Sequence, residues 1–182
     1  MPGLEDEAFS RSVVYLCEHS DRGALGLIIN KPSSLSLEAL LQKVDLGLGR
    51  EDLRHDLVFN GGPVQTDRGF VLHEPMLIAG APEDESAYAS TMTIPGGLEM
   101  TTSKDVLEAL SDGAGPKRLL VTLGYSSWDE GQLESEIAEN AWLTVGADPE
   151  VIFDTPADAR YDRALSLLGL QRWMLSPQAG RA

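Results

Sequence analysis

Residues 118–139 read RLLVTLGYSSWDEGQLESEIAE, and this stretch decides the class of fold that we expect. The first part is mostly apolar, which predicts a buried strand over 118–123. After a turn that begins at a glycine, Ser127 and Glu130 have the spacing of a capping box, which predicts a helix over 128–139. A strand followed closely by a helix indicates a protein of the α/β or α+β class.

Similar signals recur on both sides of this stretch. The apolar runs 12–17 and 25–29 flank a short polar turn and predict a β-hairpin, with Pro32 ending its second strand. Ser36 is the expected N-cap of the next helix, and Thr102 or Ser103 that of a later one. Further strands are predicted at 57–59, 69–73, 91–94, 98–101, 141–145 and 151–153, and further helices at 36–43, 104–111 and 158–168.

This mixture of paired strands with three or four helices predicts one α/β (α+β) domain over residues 1–182, with 174–182 as a flexible tail. The length of 182 residues is that of one domain, and the apolar share of 42% is ordinary for a globular protein. Intrinsic disorder is therefore not expected.

The charge of the chain is strongly negative and unevenly placed. The sequence has 29 acidic and 14 basic residues, a formal net charge of −15, and nine of the acids lie between Arg118 and Arg160 without a Lys or Arg among them. Such a chain cannot bind nucleic acid by neutralising phosphates, and it is repelled by anionic membrane surfaces. We expect no direct nucleic-acid partner and no membrane partner.

The sequence also indicates a compartment. Cys17 is the single cysteine, so no intramolecular disulfide forms, as is usual in a reducing cytoplasm. The acidic amino terminus does not look like a signal peptide, and no apolar run approaches the ~20 residues that span a bilayer. We expect a soluble cytoplasmic protein.

Two features of the sequence suggest an enzyme or a metal site. Ser126 lies on a predicted strand-to-helix turn, but a nucleophile elbow needs a glycine where Trp128 stands, and the last histidine, His73, precedes the serine. Cys17 and His19 are two residues apart on a strand, but two ligands do not define a zinc site. A helix cap and ordinary hydrogen-bonded histidines explain these residues better, so no catalytic, cofactor-binding or metal-binding residue is assigned.

The glycines at 23–26 and 60–63 match neither phosphate-binding motif, and Pro63 removes a backbone donor that such a loop would use. We interpret both as turns.

A polar stripe follows the predicted helix at 128–139. Trp128, Gln132, Glu136 and Asn140 repeat every fourth residue, beside an apolar stripe one position away. Two interpretations remain open. The stripe is either a recognition surface lining a cleft, or a solvated helix face anchored by one aromatic ring.

Several blocks of sequence together resemble one family of bacterial proteins. They are MPGLEDEAF at 1–9, RSVVYLCEH at 11–19, GALGLIIN at 23–30, GGPV at 61–64, DRGFVLH at 67–73 and LGYSSWDEGQLESEIAENAWL at 123–143. In this order they resemble the YqgE/AlgH family, over almost the whole chain. The resemblance implies a mixed α/β domain with a large, strongly bent sheet, and a cytoplasmic location.

The resemblance implies no reaction. One branch of the family is named as a transcriptional regulator, and because this chain has no basic patch or helix-turn-helix pattern, we expect any such action to be indirect. Family members usually begin some residues earlier with an apolar strand, so Met1 is expected to be an internal methionine. A missing first strand would leave a sheet edge open to pairing.

We therefore expect a non-enzymatic binding or regulatory protein that acts through protein or small-molecule partners, with its oligomeric state left open. The alternative is a hydrolase-like enzyme with a site near the turns at 61–63 and 124–128. The candidate surface for a ligand or partner consists of His19, Gly61, Gly62, Asp67, Arg68, His73, Tyr125, Trp128, Gln132, Glu136 and Asn140.

Overall fold

Strands dominate the first two thirds of the chain. In this computed structural model, which describes residues 9–76 and 86–175, the elements are β1 (Val14–Ser20), β2 (Gly23–Ile28), β3 (Pro32–Ser36), α1 (Leu37–Lys43), β4 (Leu57–Asn60), β5 (Val64–His73), β6 (Thr91–Ile94), β7 (Leu98–Thr101), α2 (Asp105–Ser111), β8 (Leu119–Trp128), α3 (Gln132–Ala138) and α4 (Arg160–Leu167). A single π-helical turn, Glu150–Asp154, precedes α4.

The long strand β8 is the centre of the sheet. The strand order is β1-β2-β8-β5-β7-β6, and β8 also pairs in parallel with β4, which pairs with β3. The first part of β8 pairs with β5, and its last residues pair with β2, where Trp128 lies opposite Ala24. The prediction of a mixed α/β fold with a large bent sheet is confirmed, since the eight strands form one nearly closed sheet with helices packed against it.

Apolar side chains on the strands form three packed clusters. The first cluster packs around Leu27 of β2 and Leu72 of β5, and the second packs around Leu41 of α1 and Leu110 of α2. These four leucine side chains are fully buried. The third cluster, beneath α3, consists of Ala24, Trp128 and Leu133, with Val14, Leu16 and Trp142 packed against it. The third cluster positions the candidate site described below.

The hairpin of β1 and β2 and the cap of α1 agree with the sequence predictions. The Ser36 hydroxyl accepts a hydrogen bond from the backbone N–H of Ala39 at 3.1 Å. The N-cap expected at Thr102 or Ser103 is wrong, because α2 begins after Lys104 with no side-chain cap. Pro32 does not end the local strand structure but opens β3, a position where its missing N–H is tolerated.

The helix predicted at 128–139 begins four residues late. β8 continues to Trp128, so Ser127 is a strand residue and not a cap, and α3 begins at Gln132 after Gly131 in a left-handed conformation. The capping signal at Ser127 does not start a helix, because the end of β8 pairs with a strand far away in the sequence: Gly26 of β2 lies opposite Ser126.

The strands predicted at 141–145 and 151–153 are also wrong. Residues 142–148 have no regular structure, and 150–154 form the π-helical turn. The Asp148 carboxylate opens that turn by accepting from the N–H groups of Glu150 and Val151, at 2.9 and 3.3 Å. Most of the tail expected at 174–182 lies outside the described residues.

Candidate ligand-binding site

An apolar cavity of about 500 Å³ lies between β1, α3, the irregular segment 142–148 and α4. This volume is within the range of ~300–1,000 Å³ that ligand sites occupy. We call it the apolar cavity. Its walls consist mainly of Val14, Leu16, Trp128, Leu133, Trp142, Val151, Tyr161 and Leu165, and its rim of Ile137, Leu143, Val145, Leu167 and Leu168.

Exposed apolar side chains are concentrated at this rim. Of the nine large hydrophobic side chains that are exposed among the described residues, the five rim residues line the cavity. Leu143 and Val145 are 43% and 42% exposed. A contiguous apolar surface that remains open to water marks an interaction site more often than single exposed residues do.

Two indole rings form the wall of the cavity beside α3, and one phenyl ring packs against both of them. The rings of Trp128 and Trp142 meet edge to face with centroids 5.6 Å apart, and the ring of Phe9 lies 5.8 Å from Trp142 and 6.4 Å from Trp128. Edge-to-face contacts at such distances stabilise a fixed ring arrangement. The wall is therefore ordered by contacts within the protein before any ligand binds.

Glu136 orders both indoles of this wall. Its Oε2 accepts from the Nε1–H groups of Trp128 at 3.0 Å and of Trp142 at 2.7 Å, and its Oε1 accepts from Gln132 at 2.9 Å. Burial would raise the pKa of this carboxyl, but the three hydrogen bonds outweigh burial, so the pKa lies below its ordinary value. Glu136 is therefore ionised at neutral pH and acts as a shared acceptor.

Replacing Glu136 with Gln should lower the free energy of unfolding by about 1–3 kcal/mol, because an amide has a single acceptor oxygen. With that oxygen at the Oε2 position both indoles keep their acceptor but the new NH2 group faces the Gln132 NH2 group, and in the other orientation both indole N–H groups lose their acceptor. Urea denaturation followed by tryptophan fluorescence measures this change. The matched control is Glu134→Gln on the same helix, where an exposed pair with His19 is removed and little change is expected. Equal stability of the two variants would contradict the role given to Glu136.

The sequence-predicted residues divide into two groups. Trp128, Gln132 and Glu136 are brought together, although Trp128 belongs to β8 and not to the helix. His19, at the end of β1, contacts the Glu134 carboxylate of α3 and so lies beside the site. Asn140 is exposed in a left-handed conformation just past the end of α3, outside the hydrogen-bonded group.

The remaining candidates lie on other parts of the sheet. Asp67 and Arg68 are exposed on β5, where the Arg68 guanidinium lies 5.2 Å from the Phe70 ring centroid. The Tyr125 ring packs edge to face on Phe70, with centroids 5.6 Å apart. These residues form a separate contact, and they do not line the apolar cavity.

Gly61 and Gly62 are explained by close backbone approach. The Gly61 N–H donates to the Leu123 carbonyl, and its carbonyl accepts from Ile28 N–H, each at 2.8 Å, which joins β2 to β8. A Cβ on Gly61 would lie 2.3 Å from the Gly124 carbonyl oxygen, and one on Gly62 would lie 2.2 Å from the carbonyl carbon of Tyr125. Packing against β8 requires both glycines.

Cys17 and Ser126, candidates for catalysis or metal binding in the sequence, are buried and packed within the sheet. Burial raises the pKa of the Cys17 thiol to about 12, so this thiol is protonated and packed, whereas His19 is exposed. The buried Ser126 hydroxyl donates to the Gly61 carbonyl at 3.3 Å. Within residues 9–76 and 86–175, no three His, Cys, Asp or Glu side chains are grouped to hold a metal ion.

His73, the last residue of β5, is fully buried where β5 pairs with β7 and β8. Its Nε2 lies 2.8 Å from the Thr101 hydroxyl, its Nδ1 lies 2.8 Å from the Glu74 carbonyl, and the ring packs on Tyr88. Burial lowers the pKa of this imidazole and outweighs the Glu74 carbonyl and the Glu99 charge, which act in the opposite direction. His73 is therefore a neutral core residue.

Acid should destabilise the protein through His73. The unfolded chain takes up a proton near pH 6.5 while the folded imidazole stays neutral, so the free energy of unfolding falls with pH below ~6.5, by at most about 1.4 kcal/mol per pH unit. In His73→Gln we expect the free energy of unfolding to fall less steeply with decreasing pH, over the range from about pH 7 to the lowered pKa of His73 in the folded protein. Urea denaturation of both proteins across this range measures the difference, and parallel curves would contradict it.

Sequence reasoning missed much of the cavity. Trp142, Leu143 and Val145 fall within the strand predicted at 141–145, because an apolar run is the usual signal for a strand. The glycine at 146 and the Asp148-Pro149 pair that ends this run are signals that favour an irregular segment.

Comparison with known proteins shows which family this chain resembles. The family model described as AlgH-like matches residues 1–173. The chain belongs to the AlgH-like family. A UPF0301 protein of Delftia acidovorans is 87% identical over 182 residues, which are all of this chain and 92% of the relative, and one of Paracidovorax citrulli is 72% identical over 196 aligned positions at the same coverage.

Two solved structures have a similar fold. The solution structure of the AlgH protein from Pseudomonas aeruginosa has a TM-score of 0.76 and 45% identity, with 100% of this chain and 92% of that chain covered. A crystal structure of a Corynebacterium diphtheriae protein, with a TM-score of 0.68 at 19% identity over 90% of this chain and 81% of that one, shares the fold. Among the described residues, no helix is both long and apolar enough to cross a membrane.

Proposed function

We propose that this AlgH-like protein is a non-enzymatic binding protein of the cytoplasm that takes up an apolar ligand or partner segment in the apolar cavity. The observation that supports this most strongly is the open rim, where five large apolar side chains remain exposed around one cavity. Leaving them in contact with water costs stability, at about 25 cal/mol per Å² of apolar surface, and a bound ligand recovers that free energy.

The order of the cavity wall supports the same function. Glu136 holds both indoles at their Nε1–H groups, so their ring faces and edges are fixed beside the opening. A fixed wall binds an apolar ligand without first losing side-chain entropy. A regulatory role would follow if binding changed which partner the protein contacts, and the net charge of −15 favours action without direct contact to DNA.

The alternative, a hydrolase-like enzyme near the turns at 61–63 and 124–128, is less well supported. The glycines of the first turn are explained by close approach to β8, and the Ser126 hydroxyl is buried against the Gly61 carbonyl. A nucleophile must reach a substrate, and a fully buried hydroxyl on a central strand has no such access.

A neutral apolar dye tests the proposal. N-phenyl-1-naphthylamine should bind saturably, and Val145→Asp should weaken binding by about tenfold or more, because a carboxylate at the rim must lose its hydration. Met92→Asp is the matched control, since Met92 is exposed to a similar degree on β6 outside the cavity, and it should leave the affinity unchanged. Absence of saturable binding, or equal weakening by both substitutions, would overturn the proposal.

A further inference from the structure

A second cavity, of about 250 Å³, lies between β4, the first residues of β8 and the segment 153–160. We call it the charged cavity, because Asp56 and Arg160 both line it. No described residue lines both this cavity and the apolar cavity. Its volume lies below the ~300–1,000 Å³ of most ligand sites, so a ligand that fits here must be small.

Arg160 has more hydrogen-bond donors than its protein partners use. The residue is 6% exposed, and its Nε and Nη1 atoms donate to the carbonyls of Thr155 and Ile29. Among the described residues, the fully enclosed side-chain polar atoms without a partner belong to Glu99 and Thr122, so Nη2 of Arg160, which has no acceptor either, is reached by solvent. A ligand in the charged cavity, which Arg160 lines, can therefore accept from this guanidinium.

The charge of Arg160 has no carboxylate in direct contact. No ion pair of 4.0 Å or shorter joins it to a described Asp or Glu. Besides the two carbonyls, the guanidinium lies 4.9 Å from the Phe59 ring centroid. Burial lowers the pKa of Arg160 to about 10, and the charge of Asp56 acts in the opposite direction. A buried charge without a bonded counter-charge is unfavourable, so an anionic group beside it would be stabilised.

Asp56 places a negative charge at the mouth of the same cavity. The residue is exposed and forms no ion pair with a described cation, whereas the nearby Arg50 is paired with Asp52 at 2.6 Å. Loss of hydration raises the pKa of Asp56 and the charge of Asp52 adds to this, while Arg160, Arg50 and His55 act in the opposite direction. Because the Asp56 carboxylate repels anions, a ligand with an anionic group needs a positive group as well.

The rest of the lining is largely apolar. Leu57, Phe59, Leu119 and Phe153 contribute to it. The cavity therefore presents a cation, an anion and an apolar wall within a small volume. An α-amino acid with an apolar side chain carries the complementary groups at a similarly small size.

We propose that the charged cavity binds an α-amino acid with an apolar side chain, as a second site that is independent of the apolar cavity. The ligand carboxylate accepts from the Arg160 guanidinium, the ammonium group faces Asp56, and the side chain packs against Leu119 and Phe153. A carboxylate on a guanidinium forms a charge-assisted hydrogen bond, which is stronger than one between neutral groups.

L-leucine tests this proposal with the whole chain in a two-dimensional NMR titration. The Ala157 amide and the Arg160 Nε–H signals report on the charged cavity, and the indole signals of Trp128 and Trp142 report on the apolar cavity. N-acetyl-L-leucine lacks the ammonium group, and L-leucinamide lacks the carboxylate. Because these analogues leave the protein unchanged, they test the charge requirement without affecting its stability.

Asp56→Asn tests the charge at the mouth of the cavity. Its matched control is Asp112→Asn, since Asp112 is exposed at the end of α2 and does not line the cavity. We expect saturable shifts of the Ala157 and Arg160 signals with a Kd of about 1 mM or tighter. Both analogues, and leucine with Asp56→Asn, should bind at least about tenfold more weakly, while Asp112→Asn should keep the wild-type affinity.

Absence of saturable leucine binding would overturn this inference, as would undiminished affinity of either analogue or equal effects of the two aspartate substitutions. Leucine shifts confined to the two indole signals would place the ligand in the apolar cavity and would also overturn it. Leucine binding without binding of N-phenyl-1-naphthylamine would overturn the proposed function alone. The opposite result would overturn this inference and leave the proposed function standing.

Discussion

Replacing Gly62 with alanine should lower the free energy of unfolding by about 3–5 kcal/mol, the largest single-residue effect that we expect. Gly62 has a φ of +155°, and a Cβ there would lie 2.2 and 2.3 Å from the carbonyl carbon and oxygen of Tyr125. Those atoms belong to the backbone of the central strand β8, so neither can move without breaking sheet hydrogen bonds. Urea denaturation followed by circular dichroism measures the loss.

Gly47→Ala is the control for this substitution. A Cβ on Gly47 would meet no atom within 4 Å, and the residue lies outside the regular elements. We expect its free energy of unfolding to stay within about 0.5 kcal/mol of the wild type. If Gly62→Ala were equally well tolerated, the close approach of this turn to β8 would be wrong, and the packing explanation of the two glycines would be wrong with it.

Replacing Arg160 with methionine should lower the free energy of unfolding by about 2–3 kcal/mol, because two backbone carbonyls lose a charged donor. The buried guanidinium donates to the Ile29 carbonyl and, at 2.9 Å, to that of Thr155, and it lies 4.9 Å from the Phe59 ring centroid. Burial lowers the pKa of Arg160 to about 10, so removing the charge recovers part of the loss. These bonds join α4 to the end of β2.

Arg163→Met on the same helix is the matched control, since Arg163 is half exposed and makes a long ion pair, at 3.6 Å, with Glu150. Little change is expected there. Because α4 forms one wall of the apolar cavity, Arg160→Met should also weaken binding of N-phenyl-1-naphthylamine, in a buffer where the variant remains folded. Equal stability of the two variants would contradict the assignment of Arg160 as the link between α4 and the sheet.

Local signals predicted the elements whose partners are close in the sequence. The β1–β2 hairpin needs only a two-residue turn, and the Ser36 cap needs only the next three residues. The end of β8 depends on a partner far away in the chain, since Ser126 pairs with Gly26. The residues next to Ser127 do not show that this segment pairs with β2. Its capping signal therefore predicted a helix start at a place where the chain continues as a strand.

The site was predictable in part for a related reason. The four-residue repeat brought Trp128, Gln132 and Glu136 together, and the structure places these three in one hydrogen-bonded group. The apolar run at 142–147 gave no sign of its exposure, because a sequence shows that residues are apolar but not which other elements cover them. Here the segment lines the apolar cavity together with residues of α3 and α4, and Leu143 and Val145 stay exposed.

The binding role of the apolar cavity is tested most directly by the indole N–H signals in a two-dimensional NMR spectrum during titration with N-phenyl-1-naphthylamine. The chain has three tryptophans, of which Trp128 and Trp142 line the cavity, while Trp173 is 76% exposed and lies outside it. We expect the signals of Trp128 and Trp142 to shift together with one saturation curve while that of Trp173 stays in place. Three unchanged signals, or a shift of Trp173 alone, would contradict binding in the apolar cavity.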